Sequence, residues 1–401
     1  MLSAPRRSAL LGALGLLALT GCAAPTAPAA PPTADTHGAI DGAAELAEPA
    51  LGLTSIDADG HVSHLDLLEE TTAEVGAVRA PVSVHSDGRY LFAADDEGVS
   101  IFDSGVWTWD HVDHFHYYRA PSRVIGDVEG RGVAIVATSN SSTTGGTGLF
   151  FPASGEAVLL DTEALSRGEV VERFRLERTA GAGLVVPVGS FAAVASADQV
   201  TLHAADGAQT GEPAPCVDPA GTLTTHVGAV IGCRDGALLV STADEGPVVE
   251  RIPYAAGTTA PRATVFANRE GRPTVAAPAG EAGVWMLDTR ERTWTLVPTP
   301  EPVVQATAVD DKDAHLLALT PDGRVLVLDG ETGQLRAASV PLVGASLAAG
   351  QPVSLIADQQ RAYLNGPAEG RLWELDFADA ARVAREFTPE RAPLFVAETG
   401  R

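Results

Sequence analysis

Positive charge is scarce in this 401-residue sequence: 27 Lys and Arg stand against 52 Asp and Glu, a formal net charge of −25. A chain of that sign lacks the basic face that nucleic acid requires. Cysteine is nearly absent too, with three residues in all, and aromatic side chains make up 5%. Convincing 3.6-residue periodicity is missing beyond the N-terminus, so few helices are expected. Several catalytic signatures are also missing: there is no GxSxG elbow, Walker loop or HExxH, and "TTGGTG" lacks the lysine of a phosphate loop. These absences point away from an enzyme.

The one long apolar run is "SALLGALGLLALTGC", which follows Arg6 and Arg7. It is too short for a comfortable transmembrane helix and reads as an export signal over residues 1–21. The small residues before Cys22 resemble the lipobox of bacterial lipoproteins. That resemblance implies cleavage before Cys22, lipidation of its thiol and attachment to the outer face of the cell membrane. Plain secretion and a twin-arginine route are the alternatives. Loss of Arg6 and Arg7 with the leader leaves a charge of −27. Residues 22–50 are rich in Ala, Pro and Thr and poor in large apolar side chains, the composition of a disordered tether. With Cys22 assigned to lipid, Cys216 and Cys233 remain as an even pair in an exported chain, and they are expected to form a disulfide rather than to ligate metal.

Residues 51–401 repeat. "GHVSHLD", "GVSIFD", "GEAVLLD", "GVWMLD", "GRVLVLD" and "GRLWELD" end at Asp66, Asp103, Asp161, Asp288, Asp329 and Asp376, and looser copies end at Asp206 and Asp244. Each is an alternating apolar strand that stops on aspartate. Intervals of 37 to 58 residues, with several short strands and Gly-containing turns in each, predict an all-β fold: a single β-propeller of eight blades, with seven as the alternative. The first copy lacks an innermost strand, whereas "APLFVAETG" at the other end is a spare one. Their pairing would close the ring and hide the sheet edges.

The interval of 58 residues exceeds its neighbours because a segment is inserted after Asp103. That segment, "VWTWDHVDHFHYY", carries three of the ten histidines. Imidazole and carboxylate are the ligands zinc takes, about four of them at roughly 2.0–2.1 Å, and loops on a rigid scaffold are where such groups collect. His111, His114 and His116, with Asp110 and Asp113, are the candidate metal ligands, zinc ahead of copper or nickel. His85 in "VSVHSDG" is a further candidate, because the first turn of a blade shares a face with the third. His226 and His315 occupy comparable places in other blades. A pH-sensing histidine cluster is the competing reading.

The string "DHVDHFHYYRAP", set in an exported propeller, resembles the AztD zinc metallochaperones that accompany zinc-importing ABC transporters. The resemblance implies that Zn2+ is bound outside the cytoplasmic membrane and handed directly to the transporter's substrate-binding protein. It places His111, His114 and His116, with Asp110 and Asp113, in the metal-binding motif, and matches Cys216 and Cys233 to the family's cysteine pair. Later segments such as "RTAGAGLVVP" carry no histidine, a departure from that pattern. The expected function is therefore a monomeric, lipid-anchored zinc chaperone. A metal-independent interaction scaffold is the alternative, and a quinoprotein-like or zinc-dependent enzyme ranks behind it.

Overall fold

The computed structural model describes residues 38–110, 114–244 and 246–401. Within them the aspartates that punctuate the repeat do one physical job. Asp66, Asp161, Asp288 and Asp329 each end a strand and turn Oδ1 onto backbone N–H groups two and three residues on. The carboxylate satisfies donors that the strand can no longer pair, and the chain turns there.

Those strands belong to antiparallel sheets that follow one another along the chain. Seven sheets have four strands and two have three among the described residues, an arrangement consistent with a β-propeller. In the first sheet Gly52–Ile56, His61–Asp66 and Thr71–Ala77 are joined by Phe395–Thr399, which runs antiparallel to Gly52–Ile56 from Gly52 opposite Thr399 to Ile56 opposite Phe395. Thr54 and Thr399 reinforce this seam through their hydroxyls, 2.9 Å apart and buried. The second sheet holds Ser83–Ser86, Tyr90–Ala94, Gly98–Asp103 and Arg123–Glu129. Six more follow over residues 135–177, 183–215, 222–253, 274–297, 305–338 and 355–387. The sheet at 274–297 has three strands. A single antiparallel bridge between Ala267 and Ala276 takes the fourth position, in a stretch interrupted by Pro261, Gly271 and Pro273.

Apolar side chains fill the spaces between successive sheets. Tyr90, Phe92 and Ile101 of the second sheet meet Leu149, Phe151 and Val158 of the third. Leu53, Leu65 and Val396 of the first meet Tyr363 and Leu372 of the last. Alternation along each strand places these residues on the covered faces, and burying a large apolar side chain contributes about 1.5–3 kcal/mol. Cys216 and Cys233 form a disulfide across a sequence separation of 17, tying the outer strand of one sheet to the next. Among the described residues helix is confined to short pieces such as Thr162–Ser166 and Gly344–Ala348, and none of them is long and apolar enough to cross a membrane.

The reading of residues 22–50 as an unstructured tether is corrected near its end. Ala44–Leu46 is a strand. It needs no large apolar side chain, because what it contributes is backbone pairing to a neighbouring edge.

Candidate metal site

The inserted segment folds as a hairpin of Val106–Asp110 and Phe115–Arg119, rooted between the third and fourth strands of the second sheet. Its root is fixed by burial. Trp107 is 1% exposed, stacks on Tyr118 at 5.3 Å between ring centroids and covers the Arg89 guanidinium at 3.9 Å. Thr108 Oγ1 donates to the Gly400 carbonyl at 2.8 Å. The hairpin is therefore held at its base by the main body, while Asp110, His114 and Phe115 farther out are exposed.

The register decides which side chains meet. Trp107 lies opposite Tyr118, Trp109 opposite His116 and Asp110 opposite Phe115. Directly opposed residues share a face and successive residues alternate, so Trp107, Trp109, His116 and Tyr118 lie on one face and Asp110 on the other. Read as one extended strand, the segment would have placed Asp110 on the face of His114 and His116. The antiparallel register breaks that parity. His114 and His116 do converge: their Nε2 atoms stand 2.9 Å apart and their rings meet edge to face with centroids at 4.7 Å. Two nitrogens of a tetrahedral zinc ion at roughly 2.0–2.1 Å are about 3.3 Å apart, so small ring rotations accommodate one ion. His111 and Asp113 lie outside the described residues.

Sequence reasoning missed Glu45. The strand Ala44–Leu46 pairs with Phe115–Arg119, setting Glu45 opposite Tyr118 and thus on the His116 face. Glu45 Oε1 accepts from His116 Nδ1 at 2.7 Å. Upstream, the Gly38 carbonyl accepts from Trp107 Nε1 at 3.0 Å, and Gly38, at φ +74°, lies flat against the Trp109 ring where a Cβ would collide. No spacing rule connects positions 45 and 116. Glu45 is one of several acidic residues, with Asp41 and Glu48, in an Ala-rich stretch, so nothing in the sequence singles it out.

His85 sits in the strand Ser83–Ser86 rather than in the turn after it, and its Nε2 meets Thr138 Oγ1 of the next sheet at 3.2 Å. Burial lowers its pKa to about 4, which keeps the ring neutral. No contact among the described residues joins it to His114 or His116. The His226 backbone N–H donates to the Gly271 carbonyl, and its ring lies beside Gly271. His315 Nδ1 donates to Asp311 Oδ2 at 2.6 Å, and the ring packs edge-on against Phe377.

Two further groups could hold a metal ion: Asp57, Asp59 and His61, and Asp311, Asp313 and His315, each with candidate ligand atoms within 4.8 Å of one another. Both read D-x-D-x-H in the sequence. In each the first aspartate accepts from the histidine backbone N–H and also meets its Nδ1. Asp57 is also engaged by Arg391 at 3.2 Å, a cation where a metal would need open carboxylate.

No family model matches the sequence, and no curated protein matches it. Two solved structures of AztD from Citrobacter koseri resemble the chain closely in fold. The apo structure has a TM-score of 0.74 at 18% identity, covering 88% of this chain and 98% of that one. The second has a TM-score of 0.75 at the same identity, with coverage of 88% and 99%. The dihydro-heme d1 dehydrogenase NirN is a more distant likeness, with a TM-score of 0.54 at 15% identity over 88% of this chain and 76% of that one. Over nearly its whole described length, the chain has an AztD-like fold.

Proposed function

We propose that this chain is an extracytoplasmic zinc chaperone, anchored to the cell membrane through Cys22, which binds Zn2+ at the hairpin tip and passes it to the substrate-binding protein of a zinc ABC importer. The proposal includes a ring of eight blades closed by Phe395–Thr399. Support for the ring comes from that strand's pairing with Gly52–Ile56 and from the apolar cluster shared by the last sheet and the first.

The convergence of His114 Nε2 and His116 Nε2 on one face of a firmly rooted hairpin carries the functional reading. Zinc is the cargo. His114 and His116 would supply imidazole, and His111 and Asp113, adjacent in sequence, are the donors nearest to complete the set. His114 is exposed and His116 half-buried, so an acceptor's ligands can displace them one at a time without releasing aquo-zinc. The acidic mature chain favours the approach of a cation. The protein acts by exchange without turnover, as a monomer.

The test is equilibrium dialysis of the purified chain against zinc. Wild type is expected to retain metal, and the His111→Ala, His114→Ala, His116→Ala triple variant to lose it. Identical behaviour of the two would overturn the reading.

A further inference from the structure

Glu45 belongs to a segment that composition assigns to the tether, yet it touches the candidate ligand set. We infer that the segment carrying Glu45 is a removable strap of the metal site, and that Glu45 is a positioning residue that fixes the ring of His116. This rests on the metal-binding reading above and names a device within the same site.

Neutral imidazole carries one proton on either Nδ1 or Nε2, and the partner of one nitrogen decides the state of the other. Glu45 Oε1 lies 2.7 Å from His116 Nδ1 and, as a carboxylate, only accepts. The proton is thereby held at Nδ1, and Nε2 keeps its lone pair, turned toward His114 Nε2 at 2.9 Å. A carboxylate behind a ligating histidine orients the ring and raises its basicity, and loss of such a partner typically costs about 10- to 100-fold in metal affinity.

The strap is built to come away. Its strand is three residues long, with Ala44 and Glu45 exposed and Leu46 half-buried, and it adds to a hairpin edge instead of to a packed sheet. Segments with few buried apolar contacts open locally at a small fraction of the global unfolding free energy. Upstream, the turn that closes with Ala43 N–H on the Ile40 carbonyl and the Trp107 bond to Gly38 hold the strap's other end, so Ala44–Leu46 can lift while the segment stays attached. When docked, the strap supports the ring of His116. When it lifts, that support goes and the ion is easier to surrender.

Three measurements on the full chain test this. In metal-free protein near pH 8, ring nitrogen NMR should show His116 protonated at Nδ1, with Glu45→Ala shifting it toward the Nε2 form and Glu45→Gln, whose amide oxygen can still accept, retaining the Nδ1 form. Competition with a chromophoric chelator should show Glu45→Ala binding zinc about 10- to 100-fold more weakly than wild type. Amide exchange should be much faster at Glu45 and Leu46 than in Gly52–Ile56. An unchanged tautomer with unchanged affinity in Glu45→Ala would overturn the positioning role, and strap amides as protected as those of Gly52–Ile56 would overturn its removability. If wild type binds no zinc at all, the proposed function fails, whereas the tautomer measurement, made without metal, still decides what Glu45 does.

Discussion

Arg89 and Asp103 pair through two hydrogen bonds, Nε to Oδ1 at 2.9 Å and Nη2 to Oδ2 at 2.8 Å, with side chains 0% and 1% exposed. The Trp107 ring covers the guanidinium, and Asp103 Oδ1 also accepts from Gly105 N–H as the chain leaves for the hairpin. The pair therefore serves as the hairpin's foundation.

Removing one partner should be severe. Asp103→Ala strands a buried guanidinium, and the expected loss is about 3–5 kcal/mol of unfolding free energy in urea titration. Replacing Arg89 and Asp103 together by apolar residues of similar volume should cost less, because no uncompensated charge is left inside.

Much of the fold could be read in the sequence because one short rule recurs. An alternating strand that stops on aspartate marks a third strand wherever that aspartate caps its own turn, as Asp66, Asp161 and Asp329 do. The excess length after Asp103 identified the hairpin for the same reason. The strap was not legible. Backbone pairing selects no side chains, so the partnership of Glu45 with His116 leaves no spacing or periodicity to find. His85 was set in a turn when the strand continues through it, and its ring goes to Thr138.

The disulfide closes a loop of 17 residues between neighbouring sheets. For a loop of that length the chain-entropy model expects a contribution of about 3 kcal/mol. The Cys216→Ser, Cys233→Ser double variant should unfold earlier by about that amount in denaturant, with metal affinity unchanged because the cysteines pack in a cluster and sheets that hold no hairpin residue.

Stability should depend on pH through groups far in sequence from the hairpin tip. Burial pushes Glu398 up to about 7 from an ordinary 4.5, partly offset by Arg401, and pushes Asp87 up to about 6 from 3.8. Between the ordinary and the raised values the folded chain holds more protons than the unfolded one, so both groups make stability fall as pH rises. His85 acts oppositely: burial lowers it to about 4 from 6.5, so its contribution is gained as pH rises across that interval and is complete above it. From about pH 6.5 to 8 the carboxyl effect remains, chiefly that of Glu270, which burial pushes up to about 8 from an ordinary 4.5, and then that of Glu398. Melting temperature should fall over that window, and Glu270→Gln should flatten the fall more than Glu398→Gln does. An equally steep fall in Glu270→Gln would remove Glu270 as the main cause.

The most direct measurement is X-ray absorption at the zinc edge of the loaded, full-length protein. The account predicts a first shell of nitrogen and oxygen at roughly 2.0–2.1 Å with the multiple-scattering pattern of at least two imidazoles, lost in the His114→Ala, His116→Ala variant. A spectrum without imidazole scattering, or one that persists unchanged in that variant, would contradict it.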